Sequence, residues 1–279
     1  EANTVTLMSH PNVVGTATGL TEDGQPAVLV LVKNPMETQS LAKGIAVEAA
    51  VANGNIPSFI GEAPVRIMVV GDLRPMRPSQ TPTGHTAAQS APIELGTSGG
   101  WGYDLANGYC CAGTLGSLIQ IGTTKYILSN YHVLMGDIVP GGNNRVVTNE
   151  DPVIQPGLID VGCDMGNASV VAEIAWANNP TLPNNNIDAG IAEIIPGMVK
   201  DDGSILEIGT LSSSTVAAFI GQAVKKSGRT TGLTRSTVSG LNSTVSSTRL
   251  RNSGRKWARN VAITSLRAAS EIWPPESIP

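Results

Sequence analysis

Tyr126-Ile-Leu-Ser-Asn-Tyr-His-Val-Leu134 is an apolar run that carries His132, one of only three histidines in the chain. A second apolar segment, Leu118 to Ile121, precedes it across a Gly-Thr-Thr turn. The pattern predicts two short strands followed by this histidine. Because an imidazole ionises near neutral pH, it can accept a proton from a nucleophile there. We therefore interpret His132 as a general base rather than as a residue that only caps a loop.

A carboxylate that could orient this imidazole follows later in the chain. The segment Asn186-Ile-Asp-Ala-Gly-Ile-Ala-Glu-Ile-Ile195 predicts a strand with Asp188 at its start. An aspartate that opens a strand is usually only a turn residue, and its order after His132 is what makes Asp188 a candidate. Its carboxylate would hold the second ring nitrogen, fix the tautomer and stabilise the imidazolium.

A third segment predicts a hairpin, because two strand-like runs flank a Gly-Arg-Thr-Thr-Gly turn. Its sequence is Val224-Lys-Lys-Ser-Gly-Arg-Thr-Thr-Gly-Leu-Thr-Arg-Ser-Thr-Val238. Together the three segments resemble the trypsin-like (chymotrypsin-fold) serine peptidase superfamily. The Gly-Arg-Thr-Thr-Gly turn is similar to that of its bacterial and plant NARROW LEAF-like group. The resemblance extends from about Leu7 to about Val245.

The resemblance implies a mostly β protein with two six-stranded barrels and a catalytic triad between them. It implies peptide-bond hydrolysis through an acyl-enzyme, with His132 as general base and acid and Asp188 as its orienting carboxylate. The expected partner is a peptide or protein substrate. The resemblance implies no cofactor and no metal.

The nucleophile of such a triad is missing from the sequence. The family places Gly-Asp-Ser-Gly after the hairpin, but neither Gly-x-Ser-Gly nor Gly-x-Cys-Gly occurs between Ser239 and Pro279. The strands that would follow the nucleophile are missing too, so we expect an incomplete second barrel. Its open edge would be covered by a second chain or by self-association, or it would be locally disordered. Whether the chain is an enzyme stays open, and the alternative is an inactive peptidase fold that serves as a binding or self-assembly module.

The last part of the chain departs from the family pattern and allows three interpretations. Five of the eleven residues from Arg249 to Arg259 are basic, which is one feature of a nucleic-acid patch. The net charge of −4 argues against that patch. The tail could also be translated out of frame, or it could have diverged after catalysis was lost. We expect neither a nucleic acid nor a membrane as partner, and we favour a cytoplasmic location.

The sequence predicts three parts: a small α+β domain at 1–76, a linker at 77–97 and the peptidase domain at 98–279. The first part contains a hairpin around Thr21-Glu-Asp-Gly24, a helical segment and a returning strand, Pro64 to Gly71. We expect Val28, Val30 and Val32 to share one strand face in its core, with Ile67 and Val69 nearby.

The three cysteines and the other two histidines are interpreted as ordinary structural residues. The three cysteines are Cys110, Cys111 and Cys163. We expect buried thiols, although one disulfide between the two regions stays possible. His10 and His85 are expected on the surface.

Overall fold

The computed structural model describes residues 3–39, 47–71, 83–106, 109–135, 145–175, 189–246 and 260–263. The helices in these ranges are short: α1 (Thr4–Met8), α2 (Val47–Ala52), α3 (Thr83–Thr86) and α4 (Tyr131–Leu134), with 3-10 turns at Leu158–Val161 and Met165–Asn167. Within the same ranges, no helix has the length and apolar character that a membrane crossing needs. Strands dominate, so the prediction of a mostly β protein is confirmed.

The strands are β1 (Val13–Leu20), β2 (Pro26–Val32), β3 (Thr38–Gln39), β4 (Ile56–Pro57), β5 (Phe59–Ile60), β6 (Ala63–Val69), β7 (Ser98–Trp101), β8 (Leu105–Ala106), β9 (Tyr109–Cys110), β10 (Gly113–Thr114), β11 (Ser117–Ile121), β12 (Thr124–Ser129), β13 (Pro152–Gln155), β14 (Ser169–Ala175), β15 (Gly190–Ile194), β16 (Ala223–Lys226), β17 (Thr234–Thr237), β18 (Leu241–Ser246) and β19 (Asn260–Ile263).

A six-stranded sheet is built on the predicted N-terminal hairpin, in the order β19-β18-β1-β2-β6-β5. β1 and β2 are antiparallel, whereas β6 runs parallel to β2 after the crossover that contains α2. Val28, Val30, Val32 and Ile67 lie in one apolar cluster, as predicted. Val69 also lies beside this strand, as predicted, because it pairs with Val32 in the ladder, although 54% of its surface is exposed at the end of β6.

Two strands from the last part of the chain complete this sheet. The sequence predicts one long strand from Thr234 to Ser246, but the structure divides it after Thr237. The first half pairs with β16 and the second half pairs with β1, where Gly15 lies opposite Val245. The first and last parts of the chain therefore share one sheet, and the three-part domain division stays a prediction.

The middle of the chain forms a seven-stranded sheet in the order β10-β7-β13-β14-β15-β12-β11. Its two edge strands, β10 and β11, are separated by only Leu115 and Gly116. Since so short a connection spans about 10 Å at most, the sheet must curl until its edges approach each other. Leu115, Ile127 and Ala192 are fully buried inside this curl. A side chain at Gly116 would collide with the Leu128 carbonyl, so glycine is needed at this corner.

The part of a second barrel that the structure describes is small. β16 and β17 form a two-stranded sheet, as the sequence predicts. The sequence also predicts a strand from Ile205 to Leu211. This prediction is wrong, because the segment forms only isolated bridges. The Ile208 amide donates to the Ile205 carbonyl at 2.9 Å, and Glu207 and Gly209 have φ of 64° and 91°. These angles turn the chain and prevent an extended ladder.

Residues 83–97, the described part of the predicted linker, pack against the curled sheet. Ile93 and Leu95 are 1% and 0% exposed and bridge to Val199 and Ile205. His85 is buried in the same region, so the expectation that it lies on the surface is wrong.

The same expectation is wrong for His10. It is buried beside α1, where its Nδ1 accepts a hydrogen bond from the Asn12 amide at 3.1 Å. That bond satisfies a polar ring atom that would otherwise lose contact with water.

One pair of cysteines forms a disulfide, which corrects the expectation of buried thiols. Cys110 and Cys163 are bonded, with 5.6 Å between their Cα atoms. Gly162 and Cys163 have φ of 70° and 63°, which turns the chain after the 3-10 turn and brings Cys163 toward β9. The third cysteine, Cys111, is half-buried and lies outside the bond.

Candidate active site

His132 lies in α4, directly after β12. The helix begins at once because the Asn130 carbonyl accepts hydrogen bonds from the amides of Val133 and Leu134, at 3.1 and 3.2 Å. Val133 and Leu134 are buried, whereas His132 is half-buried. The helix is therefore held by its apolar side, and its histidine remains partly open to solvent.

Two glycines let strands approach this helix closely. A side chain at Gly113, in β10, would collide with Val133. One at Gly190, at the start of β15, would come within 3.2 Å of the Met135 Cε atom. The Ser129 hydroxyl also donates to the Thr114 carbonyl at 2.6 Å. The short helix is thus fixed to the sheet on both sides, which fixes the backbone that carries His132.

A cavity of about 130 Å³ opens beside the helix. It is lined by Trp101, Asp104, Cys111, Ala112, Gly113, His132 and Val133. Asp104 is only 3% exposed. The cavity therefore brings together an imidazole, a buried carboxylate and a thiol. The sequence analysis identifies the imidazole and misses the other two, because Asp104 stands in no motif and Cys111 precedes His132 by 21 residues.

A hydrogen-bond network supports the wall of this cavity. The Trp101 indole N–H donates to Asp151 Oδ2 at 3.1 Å, and the Thr148 amide donates to the same oxygen at 3.0 Å. Arg145 pairs with Asp151 at 3.2 Å and lies over the Tyr103 ring at 3.4 Å. Burial raises the pKa of Asp151, but the hydrogen bonds from Thr148, Trp101 and Arg145 outweigh it and lower the pKa. The charged carboxylate therefore holds the indole in place.

Asp188 lies outside the described residues, so its pairing with His132 stays a prediction. The strand that the sequence predicts after it is confirmed as β15. Gly190 in that strand lies opposite Ser129 of β12.

The Gly-Arg-Thr-Thr-Gly turn joins the β16–β17 hairpin to the curled sheet. The Arg229 guanidinium donates from Nε and Nη2 to the two oxygens of Asp160, both at 2.6 Å. Its amide donates to the Thr114 hydroxyl at 3.0 Å. Ser98 donates to the same carboxylate at 2.5 Å. The arginine of this motif therefore has a structural role, which the sequence analysis does not assign.

A second histidine, His85, contacts a serine, but the arrangement is not that of a general base. His85 Nε2 lies 2.8 Å from the Ser227 hydroxyl and 3.3 Å from Glu207 Oε2. The Ser227 hydroxyl donates to the Gly96 carbonyl at 3.3 Å. In the tautomer that carries its proton on Nε2, this nitrogen donates to both oxygens and has no lone pair to accept the serine proton. This cluster joins α3 to the hairpin and supplies no second triad.

The chain was compared with family models, curated proteins and solved structures. No protein-family model matches the chain, and no curated protein matches it. Among solved structures, it is similar to a glutamic-acid-specific serine protease that is described as using a novel histidine triad in substrate binding. The identity is 21% and the TM-score is 0.35, over 55% of this chain and 65% of that one. The match spans less than two thirds of the protease. The narrower resemblance to the NARROW LEAF-like group stays a prediction.

Proposed function

We propose that this chain carries the scaffold of a trypsin-like serine endopeptidase, a class that hydrolyses peptide bonds through a His/Asp/Ser triad, with the nucleophile not identifiable in this chain. One observation carries the proposal: a half-buried histidine lies in the short helix α4, directly after β12 of the curled β-sheet, and lines an adjacent cavity. In peptide-bond hydrolysis, His132 would take the proton of the attacking hydroxyl and return it to the leaving amine. Asp188 would orient the ring and stabilise the imidazolium.

The chain position of Asp188 supports its role. Asp188 lies only two positions before Gly190, where an added side chain would come within 3.2 Å of Met135, the residue after α4. Two residues of chain span at most about 7 Å. This short separation along the chain is compatible with the proposed contact between Asp188 and His132.

We expect that replacing Asp188 with histidine creates a metal site with His132. Two imidazoles that reach the same ion bind Zn²⁺ or Co²⁺ as neighbouring ligands. Asp188→His should bind Co²⁺ at least about tenfold more tightly than the parent chain, as measured by isothermal titration calorimetry. Asp188→Asn and the double variant Asp188→His/His132→Ala are the controls. Equal affinity with and without His132 would show that the two residues are not partners.

The attacking group is not identifiable in this chain, and we expect residues 1–279 alone to be inactive. Triad enzymes without their nucleophile keep about 10³–10⁴-fold catalysis over water from binding and the oxyanion hole. Here the loop that would form that hole has no counterpart in the sequence either. We therefore expect no detectable peptide hydrolysis and no labelling by a fluorophosphonate probe. Stoichiometric labelling that disappears in His132→Ala would show that one of the C-terminal serines is the nucleophile.

The second candidate function, an inactive binding or assembly module, is favoured by the β16–β17 hairpin. Among the described residues, this two-stranded sheet pairs with no other strand. Unpaired edges offer amides and carbonyls to another chain. A stable complex together with absent hydrolysis would support this second function.

A further inference from the structure

We propose that Cys111 is a reactive thiol at which small soft electrophiles modify this protein, with His132 as the group that accepts the thiol proton. The proposal goes beyond the peptidase function, since it requires neither a serine nucleophile nor Asp188.

Cys111 carries the one thiol of the chain when the disulfide is formed. The sequence contains three cysteines, and Cys110 and Cys163 are bonded to each other. The remaining side chain is half-buried, so a small reagent can approach it. Any thiol chemistry of the oxidised protein is therefore assigned to a single atom.

The thiol shares its cavity with a histidine that could accept its proton. Cys111 and His132 line the same cavity, and a thiolate is favoured next to an imidazolium. Asp104 is the third titratable group in the lining. Its carboxylate would stabilise the imidazolium and repel the thiolate, so its two effects oppose each other. A thiol buried only among apolar groups would be inert instead.

The backbone holds this segment against the histidine. The preceding residue is fixed by the disulfide, and the Cys111 amide donates to the Asp104 carbonyl at 3.4 Å. Two residues later, Gly113 contacts Val133. The chain segment that carries the thiol therefore cannot move away from α4 without breaking these contacts.

The cavity volume limits the class of ligand. A cavity of about 130 Å³ has room for a reagent of a few heavy atoms. The cavity can accept an alkyl halide, a peroxide or a similarly small electrophile, but not a folded peptide. With iodoacetamide, the thiolate sulfur forms a bond to the methylene carbon and iodide leaves with the bonding electrons. The thiol proton remains on the His132 ring.

The test is the rate of iodoacetamide alkylation, followed by intact mass. At about pH 6.5, His132→Gln should slow the reaction about fivefold, because loss of thiolate outweighs the gain in nucleophilicity of a more basic thiol. Cys111→Ser should form no adduct. His10→Gln is the matched control, because His10 lies near α1, away from the cavity lining, and this variant should keep the parent rate.

A second measurement separates activation from a change in folding. The thiolate can be followed by its ultraviolet absorbance as the pH is raised. The midpoint of this titration should lie at higher pH in His132→Gln than in the parent protein, and it should be unchanged in His10→Gln. Equal rates and equal titrations in both variants would overturn the proposal. A native protein that forms no adduct, although its unfolded chain does, would overturn it as well.

Discussion

Arg229→Ala is expected to lower the free energy of unfolding by about 3–5 kcal/mol. The guanidinium and the Asp160 carboxylate are only 15% and 11% exposed, and two hydrogen bonds join them. Removing the arginine leaves a buried carboxylate whose remaining side-chain donor is the Ser98 hydroxyl. An uncompensated buried charge is costly, whereas the intact pair is close to neutral in energy. Urea unfolding followed by tryptophan fluorescence measures the difference.

The matched control is Lys125→Ala, which removes an exposed ion pair. Lys125 and Asp201 lie 2.8 Å apart, but their side chains are 30% and 85% exposed. Because water screens such pairs, its loss should cost no more than about 1 kcal/mol. Arg229→Lys keeps the charge but loses the two-pronged geometry, so it should give an intermediate loss. Equal effects of Arg229→Ala and Lys125→Ala would show that the buried pair does not hold the hairpin.

The disulfide should contribute a similar amount. Cys110 and Cys163 are separated by 53 residues in sequence. Closing a loop of this length restricts the unfolded chain by about 4 kcal/mol in the chain-entropy description. The double variant Cys110→Ala/Cys163→Ala should lose this stability in urea unfolding, and reduction of the parent protein should have the same effect. Cys111→Ala closes no loop and is the control.

A thiol count provides a direct check on that prediction. The native oxidised protein should react with one equivalent of a thiol reagent, and the reduced unfolded chain with three, in line with its three cysteines. Three reactive thiols before reduction would contradict the bond. Disulfides persist in oxidising compartments and are rare in the cytosol. The bond therefore weighs against the cytoplasmic location that the sequence favoured, which stays a prediction.

Local patterns were sufficient for the strands around the histidine. The alternation and the turn at Gly122 predict the β11–β12 pair, and the apolar run after Asp188 predicts β15. The same patterns could not show which sheet β18 joins, because strand character is local and the choice of partner is not. The prediction of a strand from Ile205 to Leu211 was wrong for a related reason. Its apolar residues fill a core while the backbone between them turns.

Part of the candidate site could be predicted from the sequence and part could not. His132 has a sequence signal, whereas Asp104 and Cys111 reach its cavity only through the close packing of Gly113 on Val133. One clue was present in the adjacent cysteines. Successive side chains of an extended chain point to opposite sides, so the Cys110 and Cys111 sulfurs face different parts of the protein. That alternation sends one sulfur to the disulfide and the other to the cavity.

The pairing of β18 with β1 has a consequence for synthesis on the ribosome. β1 acquires its first neighbour, β2, almost at once, but its other neighbour begins only at Leu241. At ribosomal speeds, that delay is on the order of tens of seconds. Throughout this time the nascent chain exposes the side of β1 that later pairs with β18 at Gly15, Thr16 and Thr18. This strand is therefore where newly made chains are most open to pairing with each other, and where a chaperone would be of most use.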